Sequence, residues 1–286
     1  MMTILQRLSA WTGQPPMHPS IFVFLLFSWH AQGAVFGDGD HSNGVEDQRQ
    51  QVTAEHLKPI GTIFCDGSLR GTAIHVSTPL DKTLTSGSII ATAAHVLYDQ
   101  KTAEPFKKCV YRPQNKRLTT VGFGNISSHQ FEPKSADKLQ QAENDIVFIR
   151  LKKRLIQPTL TFSVVNVIGR ELLLIGYNSN ENNISQSEGC YQFRSENFAS
   201  EKLLLHDCDA NNGASGGAVL DALTGELVGV HGGTLLVDDA QSRRRSILRG
   251  SKADPETLIN QARKIDQKMI ETLNQFSAYP AKNFHD

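Results

Sequence analysis

Three short segments carry side chains whose chemistry is complementary: His95 in ATAAHVL, Asp145 opening DIVFIRL, and Ser215 in NNGASGGAV. A serine hydroxyl is a poor nucleophile until a base takes its proton. Imidazole can take it near neutral pH. A carboxylate then fixes the imidazole tautomer and stabilises the imidazolium. Glycines around the serine permit a tight turn. That turn can aim the N–H groups of Gly213 and Ser215 at one point, where a carbonyl oxygen would gain charge. Each segment alone has a plainer meaning. The histidine could be structural, the aspartate a cap, and GASGG a turn before a hairpin.

The elements that must position these residues are short. Apolar runs of four to eight residues recur with turn residues between them: GTIFC, GTAIHV, SIIATAA, CVYRP, LTTVGFG, DIVFIRL, ELLLIGY, CYQF, KLLLHDC, GGAVLD and ELVGVHGG. They are rich in Val, Ile, Thr and Phe, as strands are, and no regular alternation with long helices suggests a parallel sheet. The pattern predicts an all-β fold of barrels or sandwiches. A short polar helix or loop is predicted at 134–143. An amphipathic helix is predicted over 255–276, with Leu258, Ile259, Ile265, Met269, Ile270 and Leu273 on one stripe, Asp254 as N-cap and Pro255 in its first turn. It is expected to pack outside the last β-unit. The basic stretch SRRRSILRGSK (242–252) is expected to be a solvated loop.

Gly213-Ala214-Ser215-Gly216-Gly217 also fits G-x-S-x-G, the nucleophile turn of α/β-hydrolases. In that fold a helix follows the serine and the chain order is serine, acid, histidine. Here a strand, a turn and a strand follow, and the order is His95, Asp145, Ser215.

The charge is balanced, 29 Lys+Arg against 29 Asp+Glu, which excludes a polybasic nucleic-acid binder. With 39% hydrophobic residues the chain is no acidic disordered segment. Residues 21–27 (IFVFLLF) are far too short to span a bilayer but fit the apolar centre of a secretory signal. Arg7 and His18 precede the run, and Ala31 and Gly33 suit the cleavage site. Cleavage after Gly33 is expected, with a secreted or periplasmic location, no stable membrane insertion, and cysteines free to pair.

TAAHV, NDIVFIRL and NGASGGAVLD followed by GELVGVHGG resemble the trypsin-like, chymotrypsin-fold serine peptidases, nearest the bacterial glutamyl endopeptidase or V8-like branch. The resemblance covers roughly 55–235. It implies two six-stranded antiparallel barrels with the site between them, His95 and Asp145 from the first and Ser215 from the second. The expected organisation is a signal peptide (1–33), a pro-segment or N-terminal arm (34–58), a first barrel (59–155), a second barrel (156–250), and a C-terminal helix and tail (251–286). The implied activity is a serine endopeptidase acting on protein or peptide substrates as a monomer, with no metal or cofactor. Gly213 and Ser215 would form the oxyanion hole. Ala214 stands where digestive enzymes carry an acidic residue, so their zymogen switch is not expected here.

Four cysteines allow three pairings. Cys65–Cys109 is expected to bracket His95 and tie GTIFC to CVYRP; Cys190–Cys208 is expected to close a strand pair leading to the serine loop. Substrate choice stays open between two cues. Asp209 lies where trypsin-type enzymes receive basic side chains, whereas His231 matches the histidine with which glutamyl endopeptidases receive acidic ones. A glutamyl enzyme also tends to carry Thr where this chain has Ala210. The strand through Gly232 and Gly233 is expected to bind substrate by β-addition. His56, His75, His129 and His206 are read as structural or surface residues. Two other classes compete: a catalytically silent protease homologue that binds or regulates partners, and an α/β-hydrolase esterase.

Overall fold

The computed structural model describes residues 34–35, 47–77, 87–114, 119–193, 200–236 and 258–278. The expected signal segment and the basic stretch at 242–252 lie outside these residues.

Each of the eleven runs named as strands contributes a strand. The first half supplies β2 (Ile60–Cys65), β3 (Ser68–Ser77), β4 (Ile89–Thr92), β5 (Cys109–Pro113), β6 (Val121–Ile126) and β7 (Val147–Leu151). They pair in the order β2-β5-β6-β7-β4-β3, and β3 returns to β2, which closes a six-stranded antiparallel barrel. The short β8 (Leu160–Thr161) adds in parallel to β3. Closure removes sheet edges and gives each strand an inner and an outer face. β7 is buried along its whole length because its outer face meets the second barrel.

The second barrel contains β9 (Glu171–Asn178), β10 (Asn183–Phe193), β11 (Leu203–His206), β12 (Ala218–Asp221), β13 (Leu227–Leu236) and β14 (Leu258–Lys264). Their order is β10-β11-β14-β13-β12-β9, closed by β9 on β10. The arm ahead of the barrels contributes β1 (Arg49–Gln51), which pairs with β10, and a one-turn helix α1 (Ala54–Leu57) capped by Thr53.

β14 corrects the reading of 255–276 as one helix. Leu258–Lys264 is the sixth strand of the second barrel, paired with both β11 and β13. The reason is tertiary: the barrel cannot close without a strand between those two, and that pairing outweighs helix propensity. Within the strand the sides alternate. Asn260 and Ala262 turn into the barrel, where Ala262 joins the core and Asn260 Nδ2 donates to the Cys208 carbonyl. Ile259 lies on the opposite face with Leu203, Leu205 and Ala142.

A helix does follow, α3 (Gln267–Ala278), preceded by α2 (Lys138–Glu143) earlier in the chain. Asp266 Oδ1 accepts from the Met269 amide at 2.7 Å, so Asp266 caps α3. The stripe Ile265, Met269 and Leu273 is buried as its spacing requires, against the outer face of the second barrel. It packs in a core shared by both barrels, with Ile74, Ile89 and Phe148 from the first and Ile175, Leu220 and Val230 from the second. Arg150 on β7, 1% exposed, fastens the far end. Its Nη2 donates to the Phe276 and Ser277 carbonyls at 2.7 and 3.1 Å, satisfying two orphan carbonyls of the last helical turn.

Both expected disulfides are formed, Cys65–Cys109 and Cys190–Cys208. The first joins directly opposed residues of β2 and β5. The loops they close, 44 and 18 residues in sequence separation, correspond in the chain-entropy account to about 4 and about 3 kcal/mol. Among the described residues no helix is long and apolar enough to cross a membrane.

Candidate active site

β4 ends at Thr92, and the small, fully buried Ala93 and Ala94 let the chain tighten into a 3-10 turn over Ala94–Leu97. That turn carries His95 to the face between the barrels. Asp145 reaches the same place from α2: Asp137 caps the helix, and its last turn ends with the Asp145 amide donating to the Ala142 carbonyl. The two residues meet in two hydrogen bonds. The His95 main-chain N–H donates to Asp145 Oδ1 at 2.9 Å, and His95 Nδ1 lies 2.6 Å from Asp145 Oδ2. With the carboxylate ionised, Nδ1 carries the proton, which leaves Nε2 as an acceptor. The side chains are 13% and 5% exposed, so the pair is largely shielded from water, and the Phe131 ring covers His95 at 6.4 Å between centroids.

The serine loop runs between β11 and β12. Its turns are closed by the Ala214 amide on the Asn211 carbonyl and the Gly217 amide on the Ala214 carbonyl. The Gly216 amide donates to the His231 carbonyl at 2.7 Å and the His231 amide to the Gly217 carbonyl at 2.9 Å, which ties the loop to β13. Gly213 and Gly216 have φ of +95° and +84°, a region in which side chains are strained. At Gly216 a Cβ would also stand 2.1 Å from the Thr72 carbonyl oxygen. The turn therefore demands glycine at 213 and 216. Among the described residues the N–H groups of Gly213 and Ser215 donate to no protein acceptor.

Thr72, on β3 of the first barrel, was not singled out in the sequence. It holds this loop from across the cleft. Its N–H donates to the Ser215 carbonyl and its Oγ1 to the Gly213 carbonyl, both at 2.8 Å. Oγ1 in turn accepts from the Tyr177 amide at 2.8 Å. Neighbouring Gly71 fits between the Ser215 carbonyl and Val96, the residue after His95. His95 and Gly213 line one cavity of about 520 Å³. Thus His95, Asp145 and the Gly213–Ser215 loop converge on the junction of the barrels.

The specificity candidates part company. Asp209 is 1% exposed, and its Oδ2 accepts the Gln48 amide of the arm at 2.7 Å. Its own amide donates to Ser187 Oγ. His231 is fully buried inside the second barrel, with Nδ1 3.2 Å from Nε2 of His206. Burial pushes His231 down to about 3, a trend that the nearby His95 reinforces, and burial with the His231 charge pushes His206 well below the usual imidazole range. Both rings are neutral near pH 7. His206, read from sequence as structural or surface, is thus a buried partner of His231. Gly232 and Gly233 lie on β13 beyond Val230, where its ladder with β12 ends, so this stretch has β14 on one side only among the described residues.

Two antiparallel barrels with a histidine–aspartate pair on one and a glycine-framed serine loop on the other define the chymotrypsin fold of serine proteases. The trypsin-like peptidase domain matches residues 71–230, more than half of the chain, and the chain belongs to that family. It is similar in structure to a Glu endopeptidase (TM-score 0.59, 17% identity, covering 82% of this chain and 98% of that one). It also resembles neuropsin, a serine protease of mouse brain (TM-score 0.56, 15% identity, 80% and 99%), and the protease Anisep of Arthrobacter nicotinovorans (TM-score 0.55, 13% identity, 78% and 97%). At these identities the likeness shows the fold. No curated protein matches the chain in sequence.

Proposed function

We propose that the protein is a secreted serine endopeptidase working through His95, Asp145 and Ser215. The observation that carries this reading is the doubly bonded His95–Asp145 pair facing the loop on which the Gly213 and Ser215 N–H groups have no protein acceptor among the described residues. Ser215 Oγ attacks the substrate carbonyl carbon while His95 Nε2 takes the hydroxyl proton. The carbonyl π electrons move to the oxygen, and the resulting oxyanion is held by the two amides. When the tetrahedral species collapses, the C–N bond breaks and His95 delivers its proton to the leaving amine. The acyl group stays on Ser215 as an ester. Water then attacks with His95 again as base, and the acid departs with Oγ reprotonated.

Gly232 and Gly233 lend main-chain groups to an extended substrate by β-addition. His231, held by His206, forms a neutral polar floor to the side-chain pocket. Asp209 anchors the arm at Gln48. Secretion is supported by the two disulfides and by the apolar run at 21–27. The test is hydrolysis of a peptide library by the mature protein alongside its Ser215→Ala variant. Cleavage confined to the protein with Ser215 supports the reading; equal cleavage by both rejects it.

A further inference from the structure

We propose that Gln261 selects the substrate side chain lying next to His95 on the acyl side of the scissile bond, and that this side chain is a neutral hydrogen-bonding one, a hydroxyl or a carboxamide. The inference rests on the reading of the cleft as a peptidase site.

His95 is flanked by two cavities. The one of about 520 Å³ contains Gly213 and Arg70. The other, about 280 Å³, is bounded by Tyr98, Phe131, Gly232, Thr234 and Gln261. A substrate strand added along 232–234 runs past the second cavity. In an extended chain successive side chains point to opposite sides. When the residue bearing the attacked carbonyl turns its side chain into the second barrel, its predecessor turns toward His95 and this cavity.

Gln261 stands opposite Gly233 on β14, at a bulge between His231 and Gly233. Its strand neighbours Asn260 and Ala262 face into the barrel, so Gln261 faces the cleft. It is 4% exposed. Its carboxamide lies against the Gly232 backbone, where a Cβ would come within 2.2 Å of Nε2 and 3.0 Å of Cδ. A side chain at 232 would push the carboxamide from this position. Gln261 Oε1 is buried and finds no donor among the described residues. A buried carbonyl left unpaired costs free energy that a ligand donor recovers.

The charges around the cavity are engaged. Both Asp145 oxygens take N–H groups of His95. Lys138 Nζ donates to the Ser135 carbonyl and to Gln141 Oε1. Asp99 Oδ1 accepts from the Lys101 and Thr102 amides. A carboxylate entering here would meet Asp145 as a like charge. An aliphatic side chain would leave Oε1 unpaired. A hydroxyl or carboxamide both donates and accepts, and matches the Gln261 amide in either orientation, while Tyr98 and Phe131 cover its apolar stem.

The test is a library in which only the residue before the cleaved position varies, read as kcat/KM for the protein and for Gln261→Leu and Gln261→Met. Wild type is expected to favour Ser, Thr, Asn and Gln over Val and Leu by about tenfold, the scale of one net hydrogen bond. Either variant is expected to abolish or reverse that order while the order at the cleaved residue itself persists. If the Leu variant does not fold, the Met variant carries the comparison. A wild-type profile without this preference, or the same profile in wild type and variants, overturns the proposal. A wild-type protein that neither cleaves the library nor reacts with a fluorophosphonate at Ser215 overturns the peptidase reading itself, a distinct result.

Discussion

The main-chain N–H of Thr72 donates to the carbonyl of Ser215 at 2.8 Å, so a strand of the first barrel holds the serine loop of the second. The barrels are therefore not joined only by apolar contact. Two carbonyls of the serine loop are fixed from across the cleft. Because Thr72 Oγ1 also donates to the Gly213 carbonyl, Thr72 holds the peptide units that follow Gly213 and Ser215.

Replacing Thr72 by Val keeps the shape and the N–H but removes Oγ1. The Gly213 carbonyl then loses a donor and the Tyr177 amide an acceptor. The expected result is a fall in kcat of about tenfold or more with KM within about twofold, because a preorganised oxyanion site is disturbed and no substrate contact is lost. Thr72→Ser should retain most of the rate. Steady-state kinetics on one good peptide checks both.

Asp145→Asn should preserve the fold yet lower kcat by about four orders of magnitude. An amide that donates toward Nδ1 stabilises the wrong imidazole tautomer, and Nε2 then bears the proton it needs to accept. The comparison to make is kcat for the two proteins at neutral and at high pH. A variant within tenfold of wild type would show that Asp145 does not set the tautomer.

Acid should destabilise the fold through its buried histidines. Burial holds His231 at about 3 and His75 at about 4, with His206 also low, whereas the unfolded chain takes up these protons near the ordinary value. The unfolded state thus binds more protons over that window, and stability rises with pH across it. Melting temperature should be flat above about pH 7 and fall from about pH 6.5 downward, each histidine contributing up to about 1.4 kcal/mol per pH unit. His75→Asn or His231→Asn should flatten the slope in a scan from pH 7 to 4.

Arg150→Met should loosen the C-terminal helix. Two carbonyls of α3 lose their donor; the buried one at Ser277 costs about 1–3 kcal/mol and the half-buried one at Phe276 costs less. Limited proteolysis should then cut near Phe276 before the barrels are attacked, while wild type resists.

Much of this was legible in the sequence for physical reasons. Eleven apolar runs were bounded by turn residues and became strands. His95, Asp145 and the glycines beside Ser215 were marked by chemistry and by chain order, and the cysteine pairs by the strands they join. What was hidden depended on closure. Leu258–Lys264 reads as helix because its stripe continues into α3, and only the gap between β11 and β13 makes it a strand. Gln261 was hidden with it. Thr72 looked like one more β-branched strand residue, since its role lies in a hydrogen bond 143 residues away in sequence, from the Thr72 amide to the Ser215 carbonyl. Asp209 could not be assigned from its position before the serine, because its partner is an amide of the arm.

The central claim is that Ser215 is a nucleophile activated by His95. The direct measurement is mass mapping after exposure to a fluorophosphonate, on folded wild type and on the Ser215→Ala and His95→Ala variants. A single adduct on Ser215 in wild type, absent from both variants, is the predicted result. A folded wild-type protein that forms no adduct, or one that carries it elsewhere, would contradict the account.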